Sequence, residues 1–245
     1  MLEITCQHTG KMEGIDSLST SVLLNPNCQR NQQHRGSICA HCYAETLAQM
    51  YKGLGARIDR NTQILTSRIL PMSEIPDLGD REVFRLEAFG DLNNEIQLQN
   101  YINIAIKNPT VQVTLYTKMY NLVRQYFKTH EPPENFTLII SSFYVNKPIN
   151  LNFMKVLGKF RQGQLKSFTV YDKEFIKNNP SLKINCGARL CNGCRICYLK
   201  NNIEEVNEIL KSDRDAAENM IKWRDPKYVE SQTTRIENIF KDWGR

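Results

Sequence analysis

Five short apolar runs, each followed by a stretch of different period, set the fold class of this chain before any motif is read. Residues 20–25 (TSVLLN), 83–88 (VFRLEA), 112–117, 136–141 and 166–171 have strand composition. Between them, residues 44–54, 94–107, 120–129 and 151–161 read as helices, the second of them with apolar residues at clear helical spacing. Strands that alternate with helices predict parallel pairing through right-handed crossovers, because a parallel neighbour is reached only by a long connection. At 245 residues and 41% hydrophobic content, the chain can bury the core that such a sheet needs. The expectation is an α/β protein. A partial (β/α) barrel with parallel strands takes residues 1–180, and a cysteine-rich, helical C-terminal extension takes 181–245, with residues 203–223 and 226–243 read as two helices, the second packed on the barrel by an apolar stripe.

Side-chain alternation within the strands carries the next clue. In the second run Phe84, Leu86 and Ala88 fall on one face and Arg85 and Glu87 on the other; in the third, Val111, Val113 and Leu115 oppose Gln112, Thr114, Tyr116 and Lys118. Parallel strands buried on both faces read as continuous apolar runs, so a polar face opposite a helix-covered one points to a lumen that holds ligand. The competing reading places these residues at edge or solvent-facing positions of an open sheet. Arg85, Glu87, Tyr116 and Lys118 are the candidate lumen residues, with a buried Arg85–Glu87 pair as the structural alternative.

All eight cysteines fall into two groups, Cys6, Cys28, Cys39 and Cys42 near the start and Cys186, Cys191, Cys194 and Cys197 three-quarters of the way along. Residues 1–16 offer no apolar secretory core, so the thiols are expected in reducing cytoplasm, where clustered cysteines bind metal more often than they pair. The second group repeats the Cys-x2-Cys-x2-Cys run of bacterial ferredoxins, and its first three members match the x4, x2 spacing that opens the plant type. Zinc usually takes two Cys-x2-Cys knuckles separated by about a dozen residues or more, whereas four ligands within twelve residues wrap more easily around an iron–sulfur cube. A [4Fe–4S] cluster leads there, with zinc and unliganded redox thiols as alternatives. In the first group Cys39-x2-Cys42 precedes a helix, and Cys28 lies earlier across a polar loop. Whether Cys6 is a fourth ligand decides the chemistry: four thiolates close a site, while three leave one iron of a cube free for substrate or cofactor. His8, His34 and His41 are alternative ligands.

A first strand, a cysteine loop ending in Cys39-x2-Cys42, a helix and a second strand ending in Glu87-Ala88-Phe89-Gly90-Asp91 together resemble the opening of radical S-adenosylmethionine (SAM) enzymes. That resemblance implies an incomplete (β/α)6 barrel in which Cys28, Cys39 and Cys42 hold a [4Fe–4S] cluster and SAM chelates its fourth iron. It also implies a second [4Fe–4S] cluster in the C-terminal extension, where Cys186, Cys191, Cys194 and Cys197 stand. Reductive cleavage of SAM to a 5′-deoxyadenosyl radical would need an electron donor. Gly90 and Asp91 would lie near SAM, with Arg85, Glu87, Tyr116 and Lys118 as the catalytic and substrate-contacting residues. The chain departs from the family's Cys-x3-Cys-x2-Cys in having ten residues between Cys28 and Cys39, carries His41 where an aromatic residue is usual, and lacks paired glycines after the second strand. Ten residues close a loop at modest extra entropic cost compared with three. The segment Cys39-Ala40-His41-Cys42-Tyr43-Ala44-Glu45, with Leu65-Thr66-Ser67-Arg68 and Phe89-Gly90-Asp91 downstream, is also similar to a phage-borne group of proteins of uncertain activity.

Two other functional classes stay open. One is a non-enzymatic phage-type binding protein with two closed, structural iron–sulfur clusters, acting on a host protein or nucleic acid in the host cytoplasm. The other is a zinc protein that contacts nucleic acid. The formal charge of +6 suits a polyanionic partner, but Lys and Arg are scattered among Asp and Glu, as on a solvated surface. No run of about eighteen apolar residues occurs, so no membrane partner is expected.

Overall fold

Six strands, β1 (Ser17–Leu18), β2 (Val83–Leu86), β3 (Gln112–Thr117), β4 (Phe136–Ser141), β5 (Leu165–Tyr171) and β6 (Glu205–Ile209), pair in chain order into one parallel sheet. The computed structural model describes residues 1–210 apart from 9, 35–36 and 188–189, with the backbone alone at 41. β1 and β6 are the two edges, so the sheet is open. Strands laid down in sequence by right-handed crossovers put their connecting helices on one side. Those helices include α3 (Lys52–Ser67), α4 (Glu95–Lys107) and α5 (Tyr120–Phe127), preceded by α1 (Pro26–Gln32) and α2 (Tyr43–Met50). Short helices α6 (Asn152–Lys155), α7 (Lys173–Asn178) and α8 (Cys191–Cys194) complete the described set.

The main core lies between sheet and helices. Phe84, Leu86, Val113, Leu115, Phe136, Leu138 and Ile140 alternate onto the helix side and pack with Leu98, Tyr101, Ile102, Ala105, Val123 and Phe127. Burying each such side chain contributes about 1.5–3 kcal/mol. α4 follows from its local signals: Asn94 caps it by accepting from Gln97 N, Glu95 sits in its first turn and Lys107 in its last. A smaller apolar cluster of Ile15, Val83, Ile139, Cys197, Tyr198 and Val206 lies on the other side of the sheet.

Several elements differ from the sequence reading. The first strand is Ser17–Leu18 rather than 20–25; the later residues turn over the carboxyl end of the sheet, where their polar groups serve as anchors. The helix at 44–54 is two helices broken at Tyr51; Gly53 falls among the first donors of α3, which lack a helical partner in any case, and Gly55 N donates to Tyr51 O at 3.0 Å. The helix at 151–161 shrinks to the single turn of α6. The largest correction is β6. Ile203, Val206 and Leu210 are spaced as on a helix, but residues 205–209 complete the sheet against β5, and tertiary pairing overrides the local pattern. The sheet therefore runs past residue 180, and the chain beyond the second cysteine group continues as a strand rather than a helix. The rest of the two C-terminal helices lies outside the described residues. Among the described residues no helix is long and apolar enough to cross a membrane.

Candidate metal centres

Three of the four N-terminal cysteines lie within electrostatic reach of one another beyond the carboxyl ends of the strands, although among the described residues no group of three or more His, Cys, Asp or Glu is placed to hold a metal ion. Asn25 Oδ1 accepts from the backbone N of Asn27 and Cys28, which starts α1, while its Nδ2 donates to the Asp91 and Leu92 carbonyls at 2.8 and 3.2 Å. One side chain thus starts the helix that carries Cys28 and pins it to the end of β2. Ser37 caps a short 3-10 turn at Ile38–His41 through its Oγ, and Ile38 N donates to Phe143 O at 3.0 Å, which ties Cys39 to the chain just past β4. Cys42 stands immediately before α2, with its sulfur facing the Ala44 and Glu45 N–H groups.

Charge and burial define this group. Burial pushes the Cys28 thiol well above its usual value, Cys39 up to about 11 and Cys42 up, and the three act on one another. Lys118, the residue after β3, faces Cys39, Asp91, Cys42 and Cys28; burial works against its charge, but these neighbours outweigh it and hold its pKa up. Asp91 is fixed by Thr117 Oγ1 at 2.5 Å, Lys118 N at 2.9 Å and Leu92 N at 2.7 Å. Cys6 is elsewhere: it is exposed, beside Asp16, on the amino side of β1. Three free thiols, Cys28 buried and Cys39 and Cys42 half-buried, close to one ammonium, have the chemistry of a donor set for a soft cationic centre.

Gly90 and Glu87 shape the turn above β2. Gly90 has φ +86°, and a Cβ there would lie 2.3 Å from the Thr20 carbonyl oxygen and 2.9 Å from Glu87 Oε2. Glu87 itself has φ +59°, which breaks the strand alternation. Its carboxyl turns away from Arg85 and accepts from Thr20 N and Oγ1, Gln97 Nε2 at 2.7 Å and Tyr101 Oη at 2.5 Å. It therefore lies on the α4 side of the sheet, apart from the lumen assigned to it by alternation. Burial lifts its pKa to about 8 against those hydrogen bonds. A folded pKa above the unfolded 4.5 means that stability is fully present below pH 4.5 and is lost as pH rises through 8, by on the order of 5 kcal/mol. Urea unfolding from pH 5 to 9 should show this fall, and Glu87→Gln should flatten it at lower overall stability. An unchanged slope in the variant would assign the fall to other groups.

The C-terminal group lies beside β5 and β6. α8 holds Cys191 and Cys194 on one turn, Arg195 follows in the left-handed region, and Cys197 is buried in the smaller apolar cluster. Burial raises Cys186 and pushes Cys197 up to about 11, and Cys191 acts on both. Lys11 donates to Cys186 Sγ at 3.1 Å and pairs with Glu208 of β6, while Cys191 N donates to Lys11 O at 2.8 Å. Lys166, fully buried on β5, donates to the Ile196 and Leu199 carbonyls and to Asn201 Oδ1 at 2.7–3.0 Å, and so fastens the turn that carries Cys197.

Arg85 and Tyr116 lie between the two groups on the polar face. The Arg85 guanidinium stacks over the Tyr116 ring at 4.0 Å, and Tyr116 packs edge-on to Phe168. Tyr43, next to Cys42, and Tyr198, next to Cys197, both face Arg85. Lys11, Tyr43, Lys166 and Tyr198 escaped sequence reasoning. A lysine inside an otherwise apolar strand (LKSFTVY) was the one available signal among them.

Comparison with curated proteins gives no match, and comparison with solved structures gives none either. The profile of one protein family, Gene product 88, matches residues 5–174, from the N-terminal loop to the start of α7. The match takes in the first cysteine group, Arg85, Gly90, Asp91, Tyr116 and Lys118, and stops short of the second group. With well over half of the chain matched, the protein belongs to the Gene product 88 family, a phage-borne group.

Proposed function

We propose that this chain is an iron–sulfur protein of radical-SAM-like architecture: a partial barrel with an open-iron [4Fe–4S] site at Cys28, Cys39 and Cys42 and a second [4Fe–4S] site at Cys186, Cys191, Cys194 and Cys197. One observation carries the reading. Cys28, Cys39 and Cys42 act on one another electrostatically past the carboxyl ends of consecutively ordered parallel strands, where such folds place chemistry, and Cys6 stays at the other end of the sheet. A three-thiolate site leaves room for a substrate or cofactor. When bound, the cluster supplies the electron that cleaves SAM, and an electron donor must replace it.

The protein's own groups would do the rest. Asp91, fixed by three hydrogen bonds, and Gly90, which keeps the backbone low, support SAM beside the cysteine loop. Lys118 offsets thiolate charge. Tyr116 and Arg85 line the path inward, and Glu87, held by α4, keeps the turn in shape. The substrate is unnamed by these groups.

Anaerobic purification with metal and sulfide analysis, followed by electron paramagnetic resonance of the dithionite-reduced protein with and without SAM, tests the proposal. About eight irons per chain and a signal that shifts with SAM are expected. Eight irons with no shift would favour two closed clusters in a protein that binds a host protein or nucleic acid. Zinc in place of iron would overturn both iron–sulfur readings.

A further inference from the structure

Arg85 differs from the arginines that pair with carboxylates. Among the described residues Arg57, Arg60, Arg68, Arg81, Arg161 and Arg195 each meet a carboxylate, and all six are nearer the surface. Arg85 is enclosed by protein and meets none. Its Nη1 reaches Met12 Sδ at 3.1 Å and its Nη2 the Glu87 carbonyl at 3.5 Å, Tyr198 is its hydroxyl neighbour, and its Nε has no partner. The carboxylate nearest in sequence, Glu87, is committed to Thr20, Gln97 and Tyr101. A guanidinium keeps its charge at any ordinary pH, so burying it without a counter-anion is costly.

A second observation comes from strand register. Ser17 of β1, Arg85 of β2, Thr114 of β3 and Thr137 of β4 are partners in one row across the sheet. Alternation puts all four side chains on the face away from the helices, since Phe84, Val113 and Phe136 occupy the helix side. Ser17 Oγ, Arg85 Nε, Thr114 Oγ1 and Thr137 Oγ1 are each buried without a hydrogen-bond partner, and the Tyr198 hydroxyl lies beside the Arg85 guanidinium. Buried polar atoms are normally satisfied, so a whole row of orphans marks a place where something polar belongs. Arg85 and Tyr116 retain some accessible area although protein surrounds them.

We propose that this row is a buried oxyanion site, with Arg85 as the charged anchor and the Ser17, Thr114 and Thr137 hydroxyls and Tyr198 as hydrogen-bond donors, built to take the carboxylate or phosphate of a small molecule. Charge sets the class: one fixed cation plus hydroxyl donors recognises an oxyanion and disfavours an amine. The site sits between the two cysteine groups, so it deepens the proposed function by naming a substrate class, yet its binding chemistry needs neither cluster.

The test is titration of anaerobically purified protein with inorganic phosphate and, separately, acetate at constant ionic strength, following the thermal midpoint. A saturable rise with at least one anion is expected, and the one that saturates at lower concentration identifies the head group. Arg85→Gln should weaken that anion roughly tenfold or more. Thr114→Val, which keeps shape and removes a hydroxyl, should weaken it severalfold while the midpoint without anion holds or rises; it decides the matter if Arg85→Gln does not fold. Arg60→Gln, at an exposed pair with Glu3, should change nothing. No saturation, or equal loss in Arg60→Gln and Arg85→Gln, would overturn the site. So would a change in iron content at the second cysteine group in Arg85→Gln with anion affinity unchanged, because Arg85 would then be a counter-charge to that group. Anion binding by protein that purifies anaerobically with zinc or without metal would sink the radical reading and leave this site standing; a SAM-responsive signal without anion binding would do the reverse.

Discussion

Gly90→Ala is expected to cost the fold more than about 3 kcal/mol, because two penalties coincide at one atom. The backbone there has φ +86°, and the added methyl would sit 2.3 Å from the Thr20 carbonyl oxygen, which is backbone and cannot swing aside. The nearest yielding neighbour, Glu87 Oε2, is fastened by Thr20. Relief therefore needs the 19–25 loop to lift, and Asn25 would lose its hold on the Asp91 and Leu92 carbonyls. Urea midpoints for wild type and variant measure it. A loss below about 1 kcal/mol would mean that the turn and the loop move independently.

On the proposed two-cluster reading, replacing Cys39 by serine should remove about half of the iron, while replacing Cys6 should remove none. The first change would strip a proposed ligand from the group it forms with Cys28 and Cys42. Cys6 is exposed beside Asp16, on the amino side of β1. Iron per chain and the visible absorbance of anaerobic protein read the difference. Equal loss in the two variants would mean that Cys6 folds over to close the site, and the non-enzymatic reading with two closed clusters would take precedence.

Where local and long-range forces agree, the sequence was easy to read. β3 and β4 stand where their apolar runs predict, and α4 carries its cap, its charges and its apolar stripe in one place. The thiol groupings were visible as spacing. The rest depended on tertiary context. Residues 205–209 look helical and become a strand because β5 offers an open edge. A positive φ at Glu87 ended the period-two pattern one residue before its side chain mattered, which moved a candidate lumen carboxylate to the α4 side. The isolation of Cys6 and the clamp from Lys166 follow from chain paths that no spacing encodes.

The meeting of Lys11 with Glu208 and Cys186 fixes an order of events during synthesis. These partners lie 197 and 175 positions apart. At about 5–20 residues per second a ribosome needs on the order of 10–40 seconds to deliver the later ones. Throughout that interval Met12 and Ile15 lack Cys197, Tyr198 and Val206, against which they finally pack. Contacts of such long range close slowly even in the finished chain. The loop made first is thus among the last parts to set, and a nascent chain carries an uncovered polar face and reduced thiols until its sixth strand emerges.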